Sequence, residues 1–248
     1  MAWKGAGISH ATAFALIALV LVAPYGLSGC SWLWPSPEQR IADSIWRDGN
    51  EFVRVEHQRT INGARPAPNF HPVRIPRQHI LNALEVLSVK ESANAPPEPL
   101  FSTHSLAVLS EHLEKGLATA RPDQDVTFAV EEWHPGFLGF LGFKSPKVVS
   151  GRVFYSGGWL NLVFGSVLRD GTRRKAMVVD DLEINPYTPG MRSGGVRQEW
   201  ILWVPPGSGV FTAPGVGRGD WLVFAPQALA PGGPPAVQGG VPGYPGRR

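Results

Sequence analysis

The spacing of hydrophobic positions changes once along the chain, near Asp125. Before it, apolar residues recur every three or four positions: Ile80, Leu81, Leu84 and Leu87 after Pro76, then Leu106, Leu109, Leu113 and Leu117. This spacing predicts two amphipathic helices, one opened by Pro76 and one over about Ser105 to Ala118. Glu111 and Lys115 form an i,i+4 pair on the outside of the second. The segment SANAPPEP between them predicts a spacer. After Asp125 the period becomes two, with Val126, Phe128 and Val130 alternating with Thr127, Ala129 and Glu131. Val148 to Tyr155 and Trp159 to Leu168 are β-rich and joined by Ser156-Gly157-Gly158, a tight-hairpin signal. Asp170-Gly171 is a second such signal, leading into a strand within Ala176 to Ile184. Gln198 to Val204 and Trp221 to Phe224 predict two later strands, and Glu51 to His57 an earlier one.

Helices followed by strands predict an α+β fold, an antiparallel sheet (meander) with two or three helices packed on one face. A further helix is expected from Ser36-Pro37-Glu38-Gln39, a capping sequence, to about Arg47. From Pro226 the chain has no apolar periodicity and is dominated by Pro and Gly, which predicts a disordered tail. The expected organisation is a signal segment over 1–29, an N-terminus and linker helix over 30–49, a globular domain over 50–225 and the tail over 226–248.

The signal segment carries the clearest local chemistry. Lys4 precedes an uncharged apolar run, Ala11 to Ala23, and Pro24 and Gly26 break that run before Leu27-Ser28-Gly29-Cys30. The run is shorter than the roughly 18 residues of a membrane span, and the three-part layout is that of a secretory signal. Leu27-Ser28-Gly29-Cys30 resembles the lipobox of bacterial lipoproteins, and the resemblance covers these first thirty residues. It implies that the Cys30 thiol accepts a diacylglyceryl group, that cleavage precedes Cys30, and that the new amine is acylated. Each buried methylene contributes about 0.8 kcal/mol, so two or three chains hold a protein on a membrane where one does not. Ser31 follows the cysteine, where the family uses mainly Asp for inner-membrane retention. The resemblance thus implies an outer-membrane lipid anchor, most simply facing the periplasm. Cys30 is also the only cysteine, so disulfides and cysteine-based metal sites are excluded.

Composition narrows the function classes further. The formal net charge is +3, and of the 23 basic residues only Lys4 lies in the signal segment, against 20 acidic residues in all. Such a near balance is not a nucleic-acid footprint. No G-x-S-x-G or H-E-x-x-H occurs, and Gly165-Ser166 falls inside a predicted strand, a poor place for a nucleophile. His104 and His112 point about 80° apart around a helix axis, which does not form a ligand pair. No metal or cofactor is expected. Asp180-Asp181-Leu182-Glu183 is the densest acidic group and the one candidate for an envelope hydrolase. Gly215-Val216-Gly217-Arg218-Gly219-Asp220 precedes a strand and opens no helix, so it is not a dinucleotide loop, and its Arg-Gly-Asp is read as a chance tripeptide.

What remains is WHPGFLGFLGFKSP, Trp133 to Pro146, at the tip of a predicted hairpin. As a strand it would be apolar on both faces; as a helix, Gly139 and Gly142 would each cost about 1 kcal/mol relative to Ala. Three fates are open: folding back on the sheet, contact with lipid, or docking on a protein partner through Trp133, Phe137, Leu138, Phe140, Leu141 and Phe143. Contiguous exposed apolar residues mark interaction sites. The leading expectation is therefore a non-catalytic accessory or structural lipoprotein of an envelope assembly. It would be bound to the membrane through acylated Cys30 and to an envelope protein through this tip. A small-molecule or glycan-binding protein is the second expectation, since nine Trp, among them Trp159, Trp200 and Trp203, offer aromatic surface.

Overall fold

The period-two stretch that begins at Asp125 becomes an interior strand of a seven-stranded antiparallel sheet. A computed structural model describes residues 44–61, 64–135, 144–171, 185–195, 198, 200–213 and 217–229. In chain order the elements are β1 (Ser44–Asp48), β2 (Glu51–His57), α1 (Arg77–Glu85), β3 (Ser88–Lys90), β4 (Glu98–Pro99), α2 (Thr103–Thr119), β5 (Gln124–Pro135), β6 (Lys144–Ser156), β7 (Trp159–Asp170), β8 (Ile201–Trp203), β9 (Val210–Thr212), β10 (Trp221–Phe224) and α3 (Pro226–Leu229). The large sheet runs β1-β2-β5-β6-β7-β10-β9, and a small one runs β4-β3-β8. The protein is thus rich in sheet, with three helices among the described residues. The meander is β5-β6-β7, whereas β10 reaches the edge of β7 only after β8 and β9.

Alternation along the strands sorts side chains into clusters. Val126, Phe128 and Val130 of β5, Val149 and Val153 of β6, and Leu160, Leu162 and Phe164 of β7 share the main apolar cluster. Ile80 and Leu84 of α1 and Leu109, Leu113 and Leu117 of α2 belong to the same cluster. Burying each such side chain stabilises the fold by roughly 1.5–3 kcal/mol. The intervening positions meet different neighbours: Phe154, Trp159, Val163, Trp221 and Val223 form a second cluster. The second predicted stripe packs on this cluster throughout, Leu106 only partly buried; of the first, Ile80 and Leu84 are buried, Leu81 is not, and Leu87 packs from beyond the end of α1. Ser102 caps α2, its Oγ accepting the Ser105 N–H at 3.2 Å, and Glu111 pairs with Lys115 at 2.7 Å.

Two glycines make the β6–β7 turn. Ser156 pairs with Trp159, and Gly157 and Gly158 have φ of 61° and 84°, the geometry of a two-residue turn that follows the twist of its strands. Further along the same pair the register slips twice, near Ser150. These bulges insert extra residues in β7 and bring consecutive Val167 and Leu168 into one cluster, Leu168 at φ 49°.

Three expectations are corrected. Residues Ser44–Asp48, expected at the end of a linker helix, are the edge strand β1 paired with β2. Their Ile45 and Trp46 pack on the main cluster, and this burial overrides local helix propensity. Pro226–Leu229, expected in a disordered tail, is a short helix whose Leu229 is buried in that cluster. The spacer SANAPPEP contains β4, which pairs with β3. The rest of the expected linker helix, the signal segment and the tail beyond Leu229 lie outside the described residues, as does the strand expected within 176–184.

The segment 185–195 crosses β7 at backbone contact. A Cβ at Gly165 would lie 2.1 Å from the Thr188 carbonyl oxygen, and one at Gly190 would lie 2.4 Å from that of Val163. Backbone on both sides leaves no flexible side chain to move away. Gly165→Ala is expected to destabilise the protein by roughly 1–3 kcal/mol, seen as a lower urea midpoint. An unchanged midpoint would mean that the segment is not seated on β7.

Candidate interaction site

β5 and β6 outrun their other neighbours. β2 follows β5 only to the Phe52–Ala129 pair, and β7 follows β6 only to the Lys147–Asp170 pair. Beyond those points the ladder continues through Trp133–Pro146, His134–Ser145 and Pro135–Lys144. Among the described residues, the two strands there form a two-stranded arm. Trp133 is 59% exposed on it, one of the few large apolar side chains left to solvent.

The root of the arm is held by both of the acids that precede Trp133. Glu132 is only 2% exposed, and both its carboxylate oxygens accept the Ser102 N–H at 3.2 Å, at the start of α2. A carboxylate is favoured there by the positive end of the helix. Glu131 points to the opposite face, where the Tyr187 hydroxyl donates to its Oε1. Its own backbone N–H donates to Glu51 Oε1 at 2.7 Å. Burial pushes the Glu51 carboxyl above its usual range, countered in part by that bond. The sequence indicated this arm through its glycine-phenylalanine tip but gave no sign of the clamps.

Of the residues expected at the tip, Trp133 is placed and exposed, whereas Phe137, Leu138, Phe140, Leu141 and Phe143 lie outside the described residues. The same holds for Cys30 and for the acidic group Asp180 to Glu183. Ser166 is fully buried. His112 stacks on Trp46 with ring centroids 5.6 Å apart, while His104 is exposed. Among the described residues no three His, Cys, Asp or Glu gather as metal ligands. Trp159 is buried against Phe211, and Lys90 lies over the Trp203 ring. Trp200 is half-buried and lines a cleft. The Arg-Gly-Asp tripeptide is closed on itself, Arg218 donating to both Asp220 oxygens at 2.9 and 2.8 Å.

No family model, curated protein sequence or solved structure matches this chain.

Sequence reasoning missed a second constellation, a buried ion network centred on Asp125, which is 1% exposed. Arg152 Nη1 donates to its Oδ2 at 2.8 Å, and Arg192 Nη2 to its Oδ1. Asn69 Nδ2 also donates to Oδ1, at 2.8 Å. Arg152 reaches Glu56 at 3.3 Å and the Gly190 carbonyl at 2.8 Å, while Arg192 stacks 3.4 Å over Phe154. Its members come from β2, β5, β6 and two loops, so no short motif marks them. The one available signal was a charged residue on alternate positions of otherwise apolar strands. Each acid and guanidinium is matched to another, so the network acts as a clamp that holds 185–195 on the sheet.

His71 adjoins this clamp. The Tyr155 N–H donates to its Nε2 at 3.0 Å, which requires the neutral ring with its proton on Nδ1. Burial lowers its pKa below 6.5; the nearby Asp125 carboxylate opposes that shift and Arg192 reinforces it.

Two outcomes follow for equilibrium unfolding in urea. Asp125→Asn takes the carboxylate from part-buried Arg192 and leaves buried Arg152 with Glu56 as its one remaining acid among the described residues, and it is expected to cost about 3 kcal/mol; a loss below about 1 kcal/mol would show that the clamp is not formed. For His71 the unfolded state takes up the proton more readily than the folded one. Its contribution to stability is therefore complete above the unfolded pKa of about 6.5 and declines as pH falls below it. His71→Gln, which keeps an acceptor for Tyr155, should flatten the loss of stability between pH 7.5 and 5.5 relative to the parent. Parallel curves would assign that loss to other groups.

Proposed function

We propose that the protein is a lipid-anchored envelope protein that acts as a non-catalytic accessory or structural component of an outer-membrane or periplasmic assembly. Acylated Cys30 is its membrane attachment. The tip of the β5–β6 arm is its contact with an envelope protein, through Trp133, Phe137, Leu138, Phe140, Leu141 and Phe143. The carrying observation is Trp133: a large aromatic, 59% exposed, on a strand whose two preceding residues are both tied into the body. A rigid base lowers the entropy cost of docking, and aromatic residues dominate the energetics of interfaces. Within this reading α1 and α2 lie together on one face of the large sheet, supported by their shared cluster with β5, β6 and β7. The arm then extends past the covered body instead of being folded under it.

A photo-crosslinking residue at Phe140 or Trp133 in living cells tests the contact. The expected result is one discrete adduct with an envelope protein, whose purified form binds the parent protein at least about tenfold more tightly than the Trp133→Ala variant. That variant should unfold within about 0.5 kcal/mol of the parent, because the side chain is exposed. Exclusively intramolecular adducts would end the docking reading. Metabolic labelling with a fatty acid, lost in Cys30→Ala, tests the anchor separately.

A further inference from the structure

The β5–β6 ladder ends at the Val126–Val153 pair, and two residues further along β6 the loop 69–71 takes over its edge. The Phe70 N–H donates to the Tyr155 carbonyl at 2.8 Å, and the Tyr155 N–H donates to His71 Nε2 at 3.0 Å. A side chain therefore stands where a further strand would offer a carbonyl. Asn69 fixes the other end of the loop, its N–H donating to the Pro122 carbonyl at 2.8 Å and its Nδ2 to the Gln124 carbonyl at 2.6 Å.

A carbonyl accepts a hydrogen bond at every pH, whereas an imidazole nitrogen does not. Nε2 accepts only while the ring is neutral; in the imidazolium both nitrogens are donors. At 3.0 Å a protonated Nε2 would set donor against donor at the Tyr155 N–H. The ring has no ready alternative, being 5% exposed with Nδ1 lacking a hydrogen-bond partner among the described residues.

The charged groups that face the ring are Asp125 of β5 and Arg192 of the 185–195 segment. Asp125 favours the imidazolium, but its oxygens already receive Arg152, Arg192 and Asn69, with Glu56 beyond Arg152. The Gln124 and Arg121 carbonyls also lie near enough to favour it, yet neither is placed to accept from Nδ1. Burial outweighs these attractions and Arg192 adds to it, so the closed loop holds the ring in its neutral form.

We propose that His71 is an acid-released latch, whose protonation frees the loop 69–71 from the end of β6 while the sheet stays folded. The loop is suited to local opening because hydrogen bonds hold it and its one large apolar side chain, Phe70, is 60% exposed. Release has a consequence beyond the loop. Asn69 Oδ1 accepts from Arg192 Nη2 at 2.8 Å, so its departure takes one of the acceptors that hold 185–195 on the sheet. The latch thus links proton uptake at one buried ring to the grip on a second segment, independently of the arm and of the anchor.

Amide hydrogen exchange of the whole protein, followed by NMR at low urea concentrations, separates this opening from global unfolding. The Phe70 and Tyr155 amides are expected to be less protected than the interior amides of β5 and β6, and to exchange almost independently of urea. After correction for intrinsic rates, their protection should fall about tenfold from pH 7.5 to 5.5, since the opened loop takes up one proton with a pKa of about 6.5. His71→Gln, which keeps an acceptor for Tyr155, should abolish that fall. Nitrogen spectra of the parent need no variant and should show His71 neutral, with its proton on Nδ1, at pH 7.5. Four results would overturn the latch: urea dependence at Phe70 and Tyr155 equal to that of the sheet interior, protection unchanged with pH, a fall that survives His71→Gln, or a charged His71 ring at pH 7.5.

Discussion

The carboxylate of Asp125 sets the terms for one whole face of the large sheet. Removing an ion from water costs several kcal/mol, and attraction to a partner returns that cost only when geometry is good and the remaining lone pairs are used. Asp125 meets this condition with Arg152, Arg192 and Asn69 together. The net gain in stability from such a set is small, but the penalty for separating its members is large. It therefore fixes where the loops carrying Asn69 and Arg192 can lie. The close approach of Gly165 and Gly190 follows from the same demand. Only with backbone against backbone does 185–195 sit low enough for the Gly190 carbonyl to receive the Arg152 Nε–H. An apolar sheet face could accept many coverings; one with a buried charge accepts very few.

The arm uses the same chemistry at smaller scale. Because side chains alternate across a strand, consecutive Glu131 and Glu132 reach opposite faces, one to Tyr187 and one to the start of α2. Two adjacent acids thereby brace a ribbon from both sides, which neither could do alone. Trp133, next in line, is 59% exposed and makes no comparable bond among the described residues. This contrast between engaged acids and an exposed aromatic is the ground on which the arm is proposed as a contact surface.

The parts of the fold legible in the sequence are those governed by local repetition. Leu109, Leu113 and Leu117 marked α2 because a 3.6-residue period needs only neighbours to be seen. Val126, Phe128 and Val130 marked β5 in the same way, and Gly157-Gly158 marked its turn by a requirement for positive φ. What escaped depends on partners far away in the chain. Ser44–Asp48 is a strand because β2 offers it an edge and the main cluster receives Ile45 and Trp46. Leu229 fixes a short helix in a segment whose composition otherwise argues for disorder. The Asp125 network joins residues 27 to 123 positions apart, a separation at which no pattern of spacing carries information. At the candidate site the hairpin and its apolar, glycine-rich run were legible, but whether Trp133 is covered or exposed was not, since three fates for the run were open. The carboxylates that orient it were indistinguishable from ordinary surface acids.

These charges share one property that bears on recognition. Asp125, Glu132, Arg152 and Asp220 are buried and engaged within the chain, and Arg218 is tied to Asp220. Charges matched in this way contribute little to a field that reaches a distant partner. The contact proposed at the arm accordingly relies on a short-range term, apolar burial around Trp133. Short-range recognition of this kind gives slow encounter from bulk solution, because nothing guides orientation before touch. The membrane attachment proposed at Cys30 would compensate for that deficit. A tethered protein meets partners on the same surface at a high effective concentration, and fast steering is not needed. The lipid anchor proposed at Cys30 and the apolar contact proposed at Trp133 are therefore consistent requirements of one design, in which the tether would supply proximity and the arm specificity.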